Sequence, residues 1–119
     1  MRPEERDAAN LWDMLEAARK EVQFVKGLSL EQFVENELLR LASERELEII
    51  GEAGRRVSDS FRAQHPEIPW KEIIGLRNVI SHQYDKVDYP RIYDIVIRQL
   101  PELIATLSPL VPPLPETDA

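Results

Sequence analysis

Apolar residues recur at spacings of three and four along most of the chain and alternate nowhere over a useful length, which predicts helices and no strands. Leu11, Leu15, Ala18, Val22 and Val25 form one face of a first helix, from about Pro3 to Lys26, with Gly27 as its stop. Trp12 sits beside that face, as core or dimer packing. Ser29 and Gln32 have the spacing of a capping box. The pattern then runs through Val34, Leu38, Ala42, Ile49, Ala53 and Val57, with Leu41 and Ile50 alongside. Ser29 to Val57 is long for one helix, so a bend is expected at Glu35 or Asn36. Gly51 and Gly54 fall inside the second part, where each costs up to about 1 kcal/mol against Ala. That cost predicts close approach of another helix, the one that carries Arg77.

Ser58 is placed to cap a short helix from Asp59 to Gln64, and His65-Pro66-Glu67-Ile68-Pro69 reads as a stiff connector with His65 structural or exposed. Pro69 suits a helix start, and Ile73, Leu76 and Ile80 make the buried stripe of the helix that follows. Asp88 as cap and Pro90 in the first turn open the last helix. Its inner face is Ile92, Val96, Leu100, Leu103, Ile104 and Leu107, and Pro101 inside it predicts a kink. The expected architecture is all-α: an up-and-down bundle of four main helices plus one or two short ones. It occupies residues 1–108 as one domain, with a Pro-rich flexible tail over 109–119.

Composition narrows the class. At 119 residues and 43% apolar there is material for one core. No Cys is present, which excludes disulfides and thiolate metal sites. No apolar run approaches the roughly 18 residues that span a membrane, and the first residues lack the apolar stretch of a signal peptide, so a cytoplasmic protein is expected. The net charge of −7 disfavours general attraction to nucleic acid, so an RNA substrate would need a local basic patch.

The densest chemistry lies between Pro69 and Tyr89, where Arg77, Asn78, His82 and Tyr84 fall within eight residues. His titrates near neutrality and Arg offers a permanent cation suited to phosphate. On a helix, Asn78, Ser81 and His82 follow the edge of the buried stripe within a sector of about 140°. Asn78 and His82 are i,i+4 neighbours, whereas Arg77 and His82 meet only if Arg77 reaches across or a second copy faces the first. Read from spacing alone, a solvated shoulder of the core is the simpler account of this group. Lys71 is a candidate contact to an RNA phosphate. Glu48 and Glu52 share one side of the long helix. Paired carboxylates can hold a metal, but no His accompanies them at ligand spacing, so no metal is expected. They serve instead as a solvated face or as partners of Arg55, Arg56 or Arg77, one of them orienting Arg77 or His82.

The run from Arg77 to Tyr84 resembles the Arg-x4-His-x-Tyr element of HEPN-domain ribonucleases, and more closely that of the HepT-like toxins. Glu48-Ile-Ile-Gly-Glu-Ala53, His65-Pro-Glu-Ile-Pro-Trp70 and Val87-Asp88 resemble the same family in the same order, so the likeness runs from about Leu11 to Leu107. It departs at Gln83, where the family often has a small residue such as Gly. The resemblance implies a HEPN-like bundle that forms a homodimer, with two Arg77/His82 sets across a shared cleft. It implies a metal-independent endoribonuclease without a cofactor, with Arg77 and His82 catalytic and Asn78, Ser81, Glu48 and Glu52 supporting them. It also implies a partner, a minimal nucleotidyltransferase antitoxin that transfers AMP to Tyr84. The alternative function is a non-catalytic, nucleotide- or substrate-binding dimeric subunit of a nucleotidyltransferase complex, which the acidic charge favours. A helical dimerisation protein with an inert Arg/His pair is the third reading.

Overall fold

The computed structural model describes residues 3–80 and 87–112. Eight α-helices follow one another among these residues: α1 (Pro3–Val25), α2 (Leu30–Glu35), α3 (Glu37–Arg56), α4 (Asp59–Gln64), α5 (Trp70–Ile74), α6 (Leu76–Val79), α7 (Tyr89–Asp94) and α8 (Leu100–Leu107). A π-helical segment, Ile95–Gln99, joins α7 to α8, and a 3-10 turn, Ser108–Leu110, follows α8. No described residue lies in a strand, and no described helix is long and apolar enough to cross a membrane. The fold is the expected all-α bundle.

Local chemistry sets the boundaries. Gly27 takes φ +78, the left-handed geometry that ends α1 cheaply. Ser29 and Gln32 close both bonds of the capping box: the Ser29 hydroxyl accepts from the Gln32 amide, and the Gln32 side chain accepts from the Ser29 amide. The bend falls on Asn36, which ends α2 and caps α3 through its side-chain oxygen. Ser58 caps α4 and Asp88 caps α7.

The core is one cluster formed mainly by α1, α3, the π segment and α8, closed by Phe33, Ile68, Trp70, Ile73 and Leu76. Three expectations need correction. Leu38 and Leu41 lie exposed, because the Asn36 cap restarts the helix and breaks the phase carried over from Val34. The inward face of α3 is Ser43, Glu44, Leu47, Ile50, Gly51, Ala53 and Gly54. On α1 the buried face includes Met14, Ala17 and Glu21, whereas Val22 is only half-buried. The Pro101 kink takes the form of a widened turn. Proline has no N–H to offer four residues back, and just before it the Leu100 amide bonds five residues back to the Ile95 carbonyl.

Candidate functional site

The helix predicted to start at Pro69 is two short helices. Gly75 interrupts it, and α6 carries Arg77 and Asn78. The stripe survives the break: Ile73 and Leu76 are buried and Ile80 packs partly against the core. The start is fixed by Trp70, whose indole N–H donates to the His65 carbonyl at 2.9 Å and whose ring meets Phe61 edge-on. His65 is structural: its ring lies against Phe61 and its Nδ1 pairs with Glu67.

The glycines of α3 explain why α5 and α6 sit where they do. A Cβ on Gly54 would come within 2.8 Å of Ile73 Cγ2, and one on Gly51 within 3.2 Å of the Ile73 carbonyl and 3.7 Å of the Arg77 backbone. Side chains at these positions would push α5 and α6 outward, so the helix cost of two glycines is offset by a close docking that brings Arg77 over α3.

That docking delivers Arg77 to Glu52. The Arg77 side chain is 62% exposed and its Nη1 lies 3.8 Å from Glu52 Oε2, a charge contact rather than a hydrogen bond. Glu52 also receives Arg55 at 2.7 Å and Arg56 at 3.3 Å, so three guanidinium groups converge on one carboxylate. The Arg55 hydrogen bond holds the Glu52 carboxyl below the usual range against some desolvation, and the charges of Arg55, Arg56 and Arg77 add to it. Glu48 does not join this group: its carboxylate faces Arg45 at 3.6 Å. Of the two expected supporting carboxylates, Glu52 reaches Arg77 and Glu48 does not.

Asn78 is exposed on α6 beside Arg77, and Lys71 is exposed on α5. Ser81, His82 and Tyr84 lie outside the described residues. The chain on either side of them is tied down. Ile80 and Val87 pack partly on the core, and the Tyr89 hydroxyl donates to Glu44 at 3.0 Å beneath the Arg40 guanidinium. Burial and the Glu44 carboxylate push the Tyr89 hydroxyl pKa up.

Two features escaped the sequence reading. The pairing of Glu52 with Arg55, Arg56 and Arg77 is as expected, but that all three converge on the one carboxylate is not read from the sequence, although two adjacent cations follow Glu52 by one helical turn. Glu21 is fully buried, and its spacing of three from Ala18 and four from Val25 already put it on the inner face.

Comparison with known proteins gives a consistent picture. The family model described as "Ribonuclease HepT-like" matches residues 14–110. The "Putative RNase MJ1380" of Methanocaldococcus jannaschii is 41% identical over 95 residues, covering 80% of this chain and 87% of the relative. The "Putative RNase TTE0752" of Caldanaerobacter subterraneus subsp. tengcongensis is 43% identical over 82 residues, covering 69% and 73%. The "Probable ribonuclease HepT" of Thermococcus cleftensis is 34% identical over 93 residues, covering 78% and 84%. No solved structure matches the chain. With most of its length matched and an all-α bundle that presents the motif arginine on a glycine-docked helix, this chain belongs to the HepT-like ribonuclease family.

Proposed function

We propose that the protein is the toxin of a toxin–antitoxin pair and cleaves RNA internally without a metal ion, with Arg77 and His82 as its catalytic residues. The RNA 2′-hydroxyl attacks the adjacent phosphorus, the P–O5′ bond breaks, and the products end in a 2′,3′-cyclic phosphate and a 5′-hydroxyl. His82 transfers a proton at the attacking or the leaving oxygen, a role suited to a group that titrates near neutrality. Arg77 offsets the negative charge that builds on the phosphoryl oxygens. Asn78 and Ser81 orient His82 or a phosphate oxygen, and Glu52 holds Arg77 from behind.

The observation that carries this reading is the HepT-like match across residues 14–110. The presentation of Arg77 supports it: the guanidinium is largely exposed, tethered at one end by Glu52, and open to an incoming anion. A homodimer would bring two such sets to one cleft. Lys71 would add a phosphate contact beyond the cleavage site.

Control would come through Tyr84, two residues from His82. Transfer of AMP to its hydroxyl by a nucleotidyltransferase antitoxin, with release of pyrophosphate from ATP, adds bulk and negative charge where an RNA phosphate must sit.

The test is product chemistry. Cleavage of a mixed RNA pool in EDTA should leave 5′-hydroxyl ends that a kinase labels directly and 3′ ends that resist phosphatase until the cyclic phosphate is opened, and the partner with ATP should add AMP mass to wild type but none to Tyr84→Phe. Cleavage that requires a divalent ion would remove the mechanism, and equal mass gain on Tyr84→Phe would remove the role of Tyr84. If nucleotide binds and RNA stays intact with Tyr84 unmodified by mass, the binding-subunit reading replaces both; the net charge of −7 is the feature that favours it.

A further inference from the structure

The trio of arginines around Glu52 is larger than positioning Arg77 requires. Three guanidinium groups meet the Glu52 carboxylate, with Asp13 within electrostatic reach of Arg56, which still leaves a net positive cluster on a chain whose net charge is −7. Arg55 donates to both Glu52 oxygens, Nη2 to Oε1 at 2.7 Å and Nε to Oε2 at 3.3 Å, while Arg56 meets Oε1 and Arg77 approaches Oε2. All three side chains are more than half exposed, at 55%, 63% and 62%, so their outer N–H groups are available to solvent. The cluster is held in place rather than floating: the Arg56 carbonyl accepts from Asn10 on α1, and the start of α4 is clasped by Asp7, whose carboxylate accepts from both the amide and the hydroxyl of Ser58.

We propose that Arg55, Arg56 and Arg77 form a clamp for successive phosphates of an RNA strand, and that Glu52 occupies it as an internal anion until the strand displaces it. This rests on the ribonuclease reading and adds to it how an acidic protein grips a polyanion. Arg77 takes the phosphate at the cleavage site, and Arg55 and Arg56 take its neighbours. Glu52 has two opposed effects: it aims Arg77, and it competes with the strand for all three cations. A glutamate carboxyl is ionised near neutrality and the Arg55 hydrogen bond lowers its pKa further, so the competition persists at any pH near neutrality.

The competing explanation is that Arg55 and Arg56 only complement the C-terminal end of the α3 dipole. That role would register in thermal stability and leave RNA binding alone. The two are separated by anisotropy with a fluorescent, fully 2′-O-methylated oligonucleotide, which cannot be cleaved, titrated over a series of salt concentrations. For Arg55→Gln/Arg56→Gln the clamp predicts at least a tenfold loss of affinity at about 50 mM salt and a salt slope shallower by about 1.4, two single-strand phosphate contacts fewer. Glu52→Gln should bind the same oligonucleotide severalfold tighter and yet cleave ordinary RNA more slowly, since Arg77 loses its tether.

Wild-type affinity and slope in the double variant would overturn the clamp. Should that variant not fold, Glu52→Gln decides alone: tighter binding supports the clamp, and unchanged or weaker binding overturns it. The two readings fail separately. Cleavage by wild type with no dependence of binding on Arg55 and Arg56 removes the clamp and keeps the ribonuclease. Arginine-dependent binding with no cleavage of ordinary RNA keeps the clamp and removes the ribonuclease.

Discussion

Two glutamates, Glu21 on α1 and Glu52 on α3, live in opposite electrostatic worlds. Glu52 is part-exposed and faces three arginines, which hold its carboxyl below the usual range. Glu21 is fully buried. The Ser43 hydroxyl and the Leu47 amide lie near enough to favour its ionised form, but neither reaches hydrogen-bond geometry, and both carboxyl oxygens are buried without a partner. Desolvation dominates, the nearby Glu46 adds repulsion, and the Glu21 pKa is pushed up to about 8. The comparison teaches where each carboxylate acts. Glu52 stays ionised and its charge is available to aim a cation, which suits the supporting role proposed for it beside Arg77. Glu21 is neutral at neutral pH and its cost falls on the α1–α3 seam, so it belongs to the fold.

The sharpest way to separate the two regions is to remove the cation itself. Arg77→Ala should lower RNA cleavage by about 10²–10³-fold, the usual loss on removing one transition-state donor, while the thermal midpoint barely moves. A midpoint drop matching the activity loss would merge site and fold and break the comparison.

Glu21 should show the reverse. Its folded pKa of about 8 exceeds the ordinary value of 4.5, so between those pH values the folded protein holds more protons than the unfolded chain. Stability is then fully present below about pH 4.5, declines as pH rises, and levels off above about pH 8, with a span of a few kcal/mol from this group. Denaturant unfolding at a series of pH values should show that decline, and Glu21→Gln should flatten it and be the more stable protein at pH 9. Equal slopes in the two proteins would contradict the burial argument.

Gly54→Ala tests the docking that links the regions. Its Cβ meets a methyl branching directly from the stiff Cβ of buried Ile73, so a net loss of about 1–3 kcal/mol is expected in spite of alanine's better helix propensity. Gly51→Ala, tight against the Ile73 carbonyl and in ordinary contact with the Arg77 backbone, should lower cleavage by more than its stability loss explains. The smallest effect is expected at Ser29→Ala, about 1 kcal/mol from the capping box, with cleavage unchanged.

Much of this was legible in the sequence because it is local. Caps at Ser29, Ser58 and Asp88, the stop at Gly27 and the bend at Asn36 depend on a few neighbouring residues, and each falls where expected. Gly51 and Gly54 announced a close helix contact because an unpaid helix cost needs a packing reason, and Ile73 supplies it. What failed was phase carried over distance. Periodicity continued from Val34 points Leu38 and Leu41 inward across a break that resets the rotation, and it runs the helix carrying Arg77 through Gly75 as one piece, where the structure has two. The site was legible only as a motif. Arg55 and Arg56 lie one turn after Glu52 on the same helix, so their pairing with it is encoded in the spacing, whereas that Glu52 rather than Glu48 reaches Arg77 depends on the docking of α5 and α6 on α3, which no spacing within one helix encodes.

The most direct test of the central claim is the single-turnover rate of RNA cleavage in EDTA by wild type, Arg77→Ala and His82→Ala, each shown by its thermal midpoint to be folded and by mass to be unmodified at Tyr84. Metal-independent cleavage by wild type, reduced at least a hundredfold in both variants, is the predicted result. Cleavage that EDTA abolishes, or that either variant retains at the wild-type rate, would contradict it.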